Sequence, residues 1–524
     1  MGVSGQSEPR HGRDFFHIEG EGFVGDPPGT QRLAEEPPPF RFSRMGPRGR
    51  RLSRSLRVKL ARAMTSGTNR NGTIPAGFTY LGQFVDHDLT FDFTDVALGD
   101  DVSPADLLQG RSPTLDLDNV YGAGPNDTKS ARFYEDGLHL KIGTTTRAGS
   151  DRAKVGFDVP RVGTGGVVAR RRAQIPDRRN DENLAVAQTH AAMIRFHNRV
   201  VDKQRDTVPP SDRFRRARKR VVLHYQWMLR TDYLPRICDP AVVDDVFTNG
   251  RKVFEVGADP LSMPTMPVEF SVAAFRLGHS MVREAYDWNA RFPSGQGLLD
   301  LLFTFSATSG DLGFNDTLPS NWIADWRRLY RFHEIQRDDL KPPPKEFNFA
   351  RRLDTVLVDP LSVLPPGSFG GADEDAGTIE ANLAFRNLTR ATMLKLASGQ
   401  QMADLMIAAG VSLTKLTAAQ IRTGLDGTTL EDLTASEREV FVANTPLWFY
   451  VLREAELNNG RLTGVGARIV AETFHRAMEG SRFSIVRETD FSPKLGAVPG
   501  RFTMTDLLVF AFENKVGLLA PLGD

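Results

Sequence analysis

The stretch FVDHDLTFDFTD at residues 84–95 sets four aspartates and one histidine among phenylalanine, valine and leucine. Buried carboxylates are costly unless a counter-charge, hydrogen bonds or a metal ion replaces the lost water. On a helix, residues three and four apart share a face, so Gln83, Asp86 and His87 would point in one direction. Asp88 would lie about 100° further round the helix and point elsewhere. The stretch therefore predicts two different partners, one on each side of the helix.

A loop further along the chain is rich in side-chain oxygens. In SPTLDLDNVYG, four such residues alternate, and an extended backbone would turn their oxygens to one side; they are Ser112, Thr114, Asp116 and Asp118. Ca²⁺ takes six to eight oxygen ligands, and Asp88 could supply one more. The spacing does not match an EF-hand loop, and an ordinary solvated turn has the same composition, so both interpretations stay open at this point.

Two further segments carry candidate functional residues. In DRRNDEN, Arg179 and Glu182 stand three apart at the start of a predicted helix, where a surface ion pair is the plain interpretation. In AFRLGHSMV, His279 lies in an apolar helical stripe. Such a histidine is either a hydrogen-bonded core residue or an axial metal ligand whose second ring nitrogen is held by an outer partner.

Composition narrows the class of protein. The 524 residues are 40% hydrophobic and 25% charged, with a formal net charge of +1, so nothing global attracts nucleic acid. Cys238 is the only cysteine, which excludes an intrachain disulfide. The first residues lack the apolar core of a signal peptide, and no apolar run approaches the roughly 20 residues of a membrane span. We expect a cytoplasmic location by default, with unconventional export also compatible.

Helical patterns dominate the sequence, and alternating strand patterns are almost absent, which predicts a mainly α fold with few short strands. Residues 1–70 are rich in Gly, Pro and Arg and predict an arm that wraps the body or is partly loose. Residues 71–524 would form a single domain. Long helices are expected from Glu182, after a cap at Ser211 and Asp212, through SVAAFRLGHSMVREAY, and through NLAFRNLTRATMLKL.

Taken in order, GQFVDHDLTF, DLDNVYG, DRRNDENLAVAQTHAAMIRFHNR and AFRLGHSMV resemble motifs of the animal-type haem peroxidases, the myeloperoxidase-like part of the peroxidase–cyclooxygenase superfamily. FRNLTRA adds a weaker fifth match. The matches run from Tyr80 to Arg390. The resemblance implies the fold of that family, with haem between a distal and a proximal helix. Since disulfides and a signal peptide are lacking, it implies a bacterial-type member.

The resemblance also implies roles for individual residues. His87 would be the distal base, Arg179 the distal arginine and Gln83 the amide that lines the peroxide and halide pocket. His279 would be the ligand of the haem iron, with Asn387 as its hydrogen-bond partner. The remaining haem b contacts would come from two propionate-binding arginines and from two carboxylates that form ester bonds to the haem in mammalian members: Arg276, Arg390, Asp86 and Glu182. The implied calcium ligands are Asp88, Ser112, Thr114, Asp116 and Asp118.

The implied activity is a haem-dependent peroxidase that reduces H₂O₂ and oxidises small organic donors or halides through a ferryl intermediate. Two departures from the family pattern bear on this activity. Asn183 stands where myeloperoxidase-like enzymes carry a methionine with a sulfonium link to haem, which weakens the case for chloride oxidation. Arg276 stands three residues before His279, where the fatty-acid dioxygenase branches need a tyrosine. The peroxidase is therefore favoured over the dioxygenase.

An interpretation from another class is a metal-dependent phosphohydrolase. It would use the adjacent His87 and Asp88 together with His190 and His197 as ligands. That interpretation leaves the Arg179 segment and the His279 segment without a role, and His190 and His197 are explained as packing residues of one helix. A non-catalytic member of the peroxidase family is the third alternative, and nothing in the sequence favours it.

Overall fold

The structure is a computed structural model, which describes residues 15–18, 22–25, 40–67, 70–148, 155–204, 208–365 and 378–524. Within these ranges the chain is mainly helical, and strands form only short two-stranded pairs. The predicted fold class is confirmed. No helix in the described ranges has both the length and the apolarity that a bilayer span requires.

The helices are α1 (Arg54–Thr65), α2 (Gly77–Leu89), α3 (Asp118–Tyr121), α4 (Val167–Arg171), α5 (Leu184–Asp202), α6 (Pro210–Met228), α7 (Leu234–Ile237), α8 (Pro240–Asn249), α9 (Val268–Ser271), α10 (Gly278–Met281), α11 (Leu299–Thr304), α12 (Leu383–Met393), α13 (Gly399–Ala408), α14 (Ala418–Thr423), α15 (Ala435–Ala443), α16 (Leu447–Leu457), α17 (Gly464–Gly480), α18 (Met504–Ala511) and α19 (Val516–Leu519). The strands are β1 (Phe15–Ile18), β2 (Gly22–Gly25), β3 (Phe42–Ser43), β4 (Asn71–Pro75), β5 (Gly143–Thr144), β6 (Phe157–Asp158), β7 (Met266–Pro267), β8 (Ala285–Tyr286), β9 (Gly297–Leu298) and β10 (Phe349–Arg351). Strands β3 and β7 pair in parallel, whereas the other four pairs are antiparallel.

Helix α5 is the central element of the core. Its first turn is closed by Asn183, whose side-chain oxygen accepts a hydrogen bond from Val186 N, so the helix begins at Leu184 rather than at Glu182. Helix α5 packs against α2, α6 and α18, and α2 in turn packs against α10. This arrangement brings both the segment before α5 and the short helix α10 into contact with α2.

A helix inside the predicted arm belongs to the core. The side chain of Ser53 accepts a hydrogen bond from Leu56 N and starts α1, which packs against α12. Leu56 and Leu60 of α1 are buried in the main hydrophobic cluster. Most of the preceding arm, residues 1–14, 19–21 and 26–39, lies outside the described residues.

Two predicted helices differ in the structure. The continuous helix expected through SVAAFRLGHSMVREAY is wrong: α9, a 3₁₀ turn at Ala274–Leu277 and α10 follow one another, and the helix stops because Val282 is extended. Helix α6 begins at Pro210, before the predicted cap, because the fixed φ of proline suits a first turn. By contrast, α12 begins directly after the capping residue Asn382 within its predicted segment.

Candidate active site

Helix α2 carries the first group of predicted site residues. Asp86, His87 and Asp88 are all buried, whereas Gln83 is partly exposed. Gln83 Nε2 donates to Glu182 Oε1, and Asn183 Nδ2 donates to Gln83 Oε1 over 3.0 Å. The start of α5 is thereby joined to the face of α2 that Gln83 and His87 share.

His87 is held in a defined orientation. Its Nδ1 lies 2.9 Å from Asn180 Oδ1, and its Nε2 lies 3.6 Å from Glu182 Oε1. Burial lowers the pKa of His87 to about 4, with Arg179 adding to the effect. The imidazole is therefore neutral at pH 7, which a general base requires.

Arg179 crosses the end of α2. Its Nη2 donates to the backbone oxygens of His87 and Thr90, at 3.1 and 2.7 Å. The sequence suggested an ion pair with Glu182, but the salt bridge goes to Asp177, 2.7 Å from Arg179 Nη2. Asp177 also accepts from Arg179 N and from the buried Arg111. Burial alone would raise the pKa of Asp177, yet Arg111 and Arg179 outweigh it and hold that pKa far below its usual range.

The burial of Glu182 sets its charge state. Burial raises the pKa of Glu182 to about 7, although Arg179 and the hydrogen bond from Gln83 act in the opposite direction. Near neutral pH this carboxyl group is thus divided between its acid and its anion. The charge beside His87 therefore depends on pH in this range, since Glu182 is partly neutral and partly negative.

His279 occupies the short helix α10. Asn387 Nδ2 lies 2.8 Å from His279 Nδ1, so the histidine and its predicted partner are in hydrogen-bond contact. Burial lowers the pKa of His279 to about 3, and Arg276 adds to the effect. The second ring nitrogen, Nε2, has no hydrogen-bond partner among the described residues.

The segment that carries His279 contacts helix α2 through a pair of charged side chains. Arg276 Nη1, three residues before His279, lies 3.6 Å from Asp86 Oδ2 on α2. Asp86 Oδ1 is buried and has no hydrogen-bond partner. Arg390 contacts Asp92, which lies three residues beyond the end of α2. Both arginines predicted to face haem propionates are therefore close to carboxylates that follow or belong to α2.

The predicted calcium ligands form a buried group. Ser112 Oγ lies 2.6 Å from Thr114 Oγ1, which donates to Asp116 Oδ2 over 2.9 Å. Asp88 accepts from Leu117 N over 3.3 Å, and its Oδ1 is buried without a hydrogen-bond partner. Burial first, and then Asp118 and Asp116, raise the pKa of Asp88 well above its usual range. In the described part of the chain no three His, Cys, Asp or Glu side chains converge closely enough to hold a metal ion. Any ion here would therefore need the Ser and Thr hydroxyls or backbone oxygens as well.

Three further residues join the candidate site through contacts that the sequence does not reveal. Asp177 is the counter-ion of Arg179, and Asn180 is the partner of His87. His190 was explained as a packing residue, but its Nδ1 lies 3.0 Å from Asn180 Nδ2. The position of Asp177 two residues before Arg179 was the one visible signal, because an Asp there can cap a turn and pair with the arginine. The contacts of Asn180 depend on how α2 and α5 pack.

Comparison with known proteins gives consistent results. Residues 92–307 match the family model for animal haem peroxidase. Thyroid peroxidase of Canis lupus familiaris is 30% identical over 213 residues, which cover 37% of this chain and 22% of that protein. A peroxidase-like protein of Margaritifera margaritifera is 32% identical over 114 residues, 21% of this chain and 14% of that protein. The chain spans about a fifth of the length of the thyroid peroxidases it matches.

Solved structures share the fold. Peroxidase A from Dictyostelium discoideum superposes with a TM-score of 0.54 at 16% identity, over 85% of this chain and 88% of that one. Oryza sativa fatty acid alpha-dioxygenase superposes with a TM-score of 0.51 at 11% identity, over 85% of this chain and 77% of that one. Peroxidases and dioxygenases thus share this architecture, and the fold does not separate the two activities.

Proposed function

We propose that this chain is a haem-dependent peroxidase that reduces H₂O₂ and oxidises small organic donors or halides. In support, residues 92–307 match the family model for animal haem peroxidase, and a solved peroxidase shares the fold. The observation that carries the proposal is the setting of His87: a neutral imidazole with Nδ1 held by Asn180, beside an arginine fixed by a buried aspartate. A general base and a fixed cation are the two groups that heterolysis of a peroxide needs.

The residues present fit haem. Asp86 Oδ1 is buried without a hydrogen-bond partner, close to Arg276 of the segment that carries His279. A buried polar atom without a partner is expected where a bound group between α2 and α10 would contact it. His279 Nε2 would hold the iron, and Asp86 and Glu182 would be the ester-forming carboxylates. Haem would supply the redox chemistry, taking two oxidising equivalents from H₂O₂ and passing them to the donor.

The chain's own residues would move the proton. His87 Nε2 would accept a proton from one oxygen of H₂O₂ and return it to the other oxygen, which leaves as water. Arg179 would stabilise the negative charge that develops on the leaving oxygen, and it keeps its proton throughout. Gln83 would orient the peroxide from the same face of α2. Arg276 and Arg390 would balance the propionates while they remain near Asp86 and Asp92.

The proximal pair sets one condition. A histidine that binds iron through Nε2 carries its proton on Nδ1, so Asn387 must present Oδ1 to it. The amide in the structure presents Nδ2. A half turn of the amide exchanges the two atoms without changing its volume. Either end of the amide can face His279, so the pair is compatible with iron binding through Nε2.

A calcium ion is proposed for the second side of α2. Its ligands would be Asp88, Ser112, Thr114, Asp116 and Asp118, because hard cations prefer oxygen donors and Asp88 Oδ1 is buried without a hydrogen-bond partner. The ion would neutralise the mutually repelling carboxylates. Because Asp88 follows His87 directly, it would also fix the rotation of α2 that aims the distal base.

The proposal is tested with protein reconstituted with haem. We expect a Soret band that shifts on addition of H₂O₂, and H₂O₂-dependent oxidation of a simple phenol. His279→Ala should lose stable haem binding, whereas His475→Ala, which removes another buried histidine, should keep it. A colourless protein that releases phosphate from phosphate esters would overturn the proposal.

The fatty-acid dioxygenase remains the second candidate because a plant dioxygenase shares the fold. Arg276 at the position three before His279 counts against it, since that branch uses a tyrosine there. Oxygen uptake with palmitic acid separates the two activities. The peroxidase proposal predicts no uptake above that of the His279→Ala protein.

A further inference from the structure

We propose that Asn180 and His190 are positioning residues that fix which nitrogen of His87 carries its proton; this inference rests on the proposed function of His87. Asn180 is fully buried and bridges two imidazoles. Its Oδ1 lies 2.9 Å from His87 Nδ1, and its Nδ2 lies 3.0 Å from His190 Nδ1. Both distances are those of ordinary hydrogen bonds.

The bridge couples the two histidines. An amide has one accepting and one donating end, so one imidazole must donate through Nδ1 while the other accepts there. Both rings are buried and have no carboxylate within hydrogen-bond distance, which favours the neutral form with a single proton on each ring. His87 and His190 must therefore carry their protons on opposite ring nitrogens, whichever way the amide faces.

The orientation in the structure is the productive one. With Oδ1 of Asn180 facing His87, the proton sits on Nδ1 and the lone pair of Nε2 is free to act as a base. The reversed amide would put the proton on Nε2 and leave no base toward the peroxide. Glu182 Oε1 lies 3.6 Å from Nε2 and would attract a proton there when ionised. The 2.9 Å bond to Asn180 opposes that pull, because 3.6 Å is beyond hydrogen-bond range.

His190 holds the amide in that orientation. Its Nδ1 accepts from Asn180 Nδ2, which assigns its own proton to Nε2, a buried atom without a hydrogen-bond partner. Without His190, the amide N–H group would be buried and unpaired. With His190 present, a half turn requires both histidines to exchange their protonated nitrogens, whereas without His190 only His87 has to change. Loss of His190 should therefore release the amide toward the unproductive orientation.

The test reads the proton positions directly. Protein with ¹⁵N-labelled histidine is reconstituted with haem and studied by two-bond ¹H–¹⁵N correlation in its diamagnetic ferrous carbon monoxide form, with His87→Gln and His190→Leu assigning the two rings. In the wild type we expect the proton on Nδ1 of His87 and on Nε2 of His190. A proton on Nε2 of His87 would overturn the inference.

Asn180→Asp gives a two-sided result. A carboxylate only accepts, so both histidines must then donate through Nδ1. We expect His190 to change its protonated nitrogen and His87 to keep its own. If His87 changes instead, the wild-type amide has the reverse orientation and the inference is wrong. This isosteric variant also decides the question should His190→Leu fail to bind haem.

His190→Leu gives the functional readout. We expect signals of both His87 tautomers and an initial reaction with H₂O₂ slowed about tenfold, since an unpaired buried N–H group costs an energy on the order of a tenfold population change. His197→Leu is the matched control, because His197 is equally buried on α5 but bonds to Tyr121 and Leu138. It should leave both readouts unchanged. Wild-type tautomer and rate in His190→Leu would refute the inference, whereas a wild type that binds haem and ignores H₂O₂ would refute only the proposed function.

Discussion

Replacing Asp177 with asparagine should damage stability and catalysis together. Asp177 is 2% exposed and accepts hydrogen bonds from Arg111 and Arg179, at 2.6 and 2.7 Å for the shortest contact of each. The asparagine side chain would keep the shape but lose the charge that lies between two guanidinium groups. Removing the charged partner of a buried arginine such as Arg111 costs about 3–5 kcal/mol. The free energy of unfolding should fall by that amount.

The catalytic effect follows from what Arg179 retains. In Asp177→Asn, the arginine keeps its bonds to the carbonyls of His87 and Thr90 but loses the carboxylate that fixes its Nε edge. Removing one donor that stabilises a developing oxyanion typically costs about 10²–10³ in rate, and misplacing it should cost less. We expect the second-order reaction with H₂O₂ to slow about ten- to a hundredfold.

Asp325 offers a matched control elsewhere in the chain. It caps a 3₁₀ turn, accepts from Arg327 N and pairs with the buried Arg327 and Arg328, as Asp177 does with its own arginines. Asp325→Asn should lose a similar free energy in urea unfolding and keep the wild-type peroxide rate. Equal peroxide rates in the two variants, or a loss below about 1 kcal/mol in Asp177→Asn, would contradict the role given to the Asp177 carboxylate.

Three more predictions concern the haem links, the calcium and pH. After turnover with H₂O₂, acid–acetone extraction should leave haem on the wild-type protein. The same extraction should release haem from the double variant Asp86→Asn, Glu182→Gln. Free haem from the wild type would contradict ester bonds. A calcium chelator, or Asp88→Asn, should lower the thermal unfolding temperature and slow the peroxide reaction. Ca²⁺ but not Mg²⁺ should reverse the effect of the chelator. A protein whose stability and rate respond to neither ion would argue against a calcium site. Burial lowers the pKa of His224 to about 4 and that of His475 to about 3. Between these values and the unfolded value of about 6.5, the unfolded chain therefore binds more protons than the folded chain. The free energy of unfolding should therefore fall as pH drops from 6.5 toward 4, by up to about 1.4 kcal/mol per pH unit for each histidine. In the double variant His224→Gln, His475→Gln, the urea midpoint should fall less steeply over the same pH range.

Helices could be predicted from the sequence where the apolar pattern and the capping residues alone determine their bounds. The apolar pattern of α5 and the cap at Asn382 before α12 are visible in the chain, and both helices are found. The helix around His279 was not predictable in its true form. Its apolar spacing fits a long helix, but the chain breaks into α9, a 3₁₀ turn and α10, and packing rather than periodicity sets those ends.

The candidate site divides in the same way. Gln83 and His87 could be grouped from helical spacing, and both lie beside Glu182 in the structure. Asn180 and His190 could not be paired with His87, since their contacts join α2, a 3₁₀ turn and α5 across 93 and 10 residues of sequence. A neutral amide also carries no charge pattern by which it could be selected from sequence.

The role of His87 is tested most sharply by the rate at which H₂O₂ shifts the Soret band of the haem-loaded protein, followed by stopped flow in the wild type and in His87→Ala. If His87 is the base that moves the peroxide proton, His87→Ala should bind haem normally and react about 10²- to 10⁴-fold more slowly. Equal rates in the two proteins would exclude that role, because the proton would then be moved by a group other than His87.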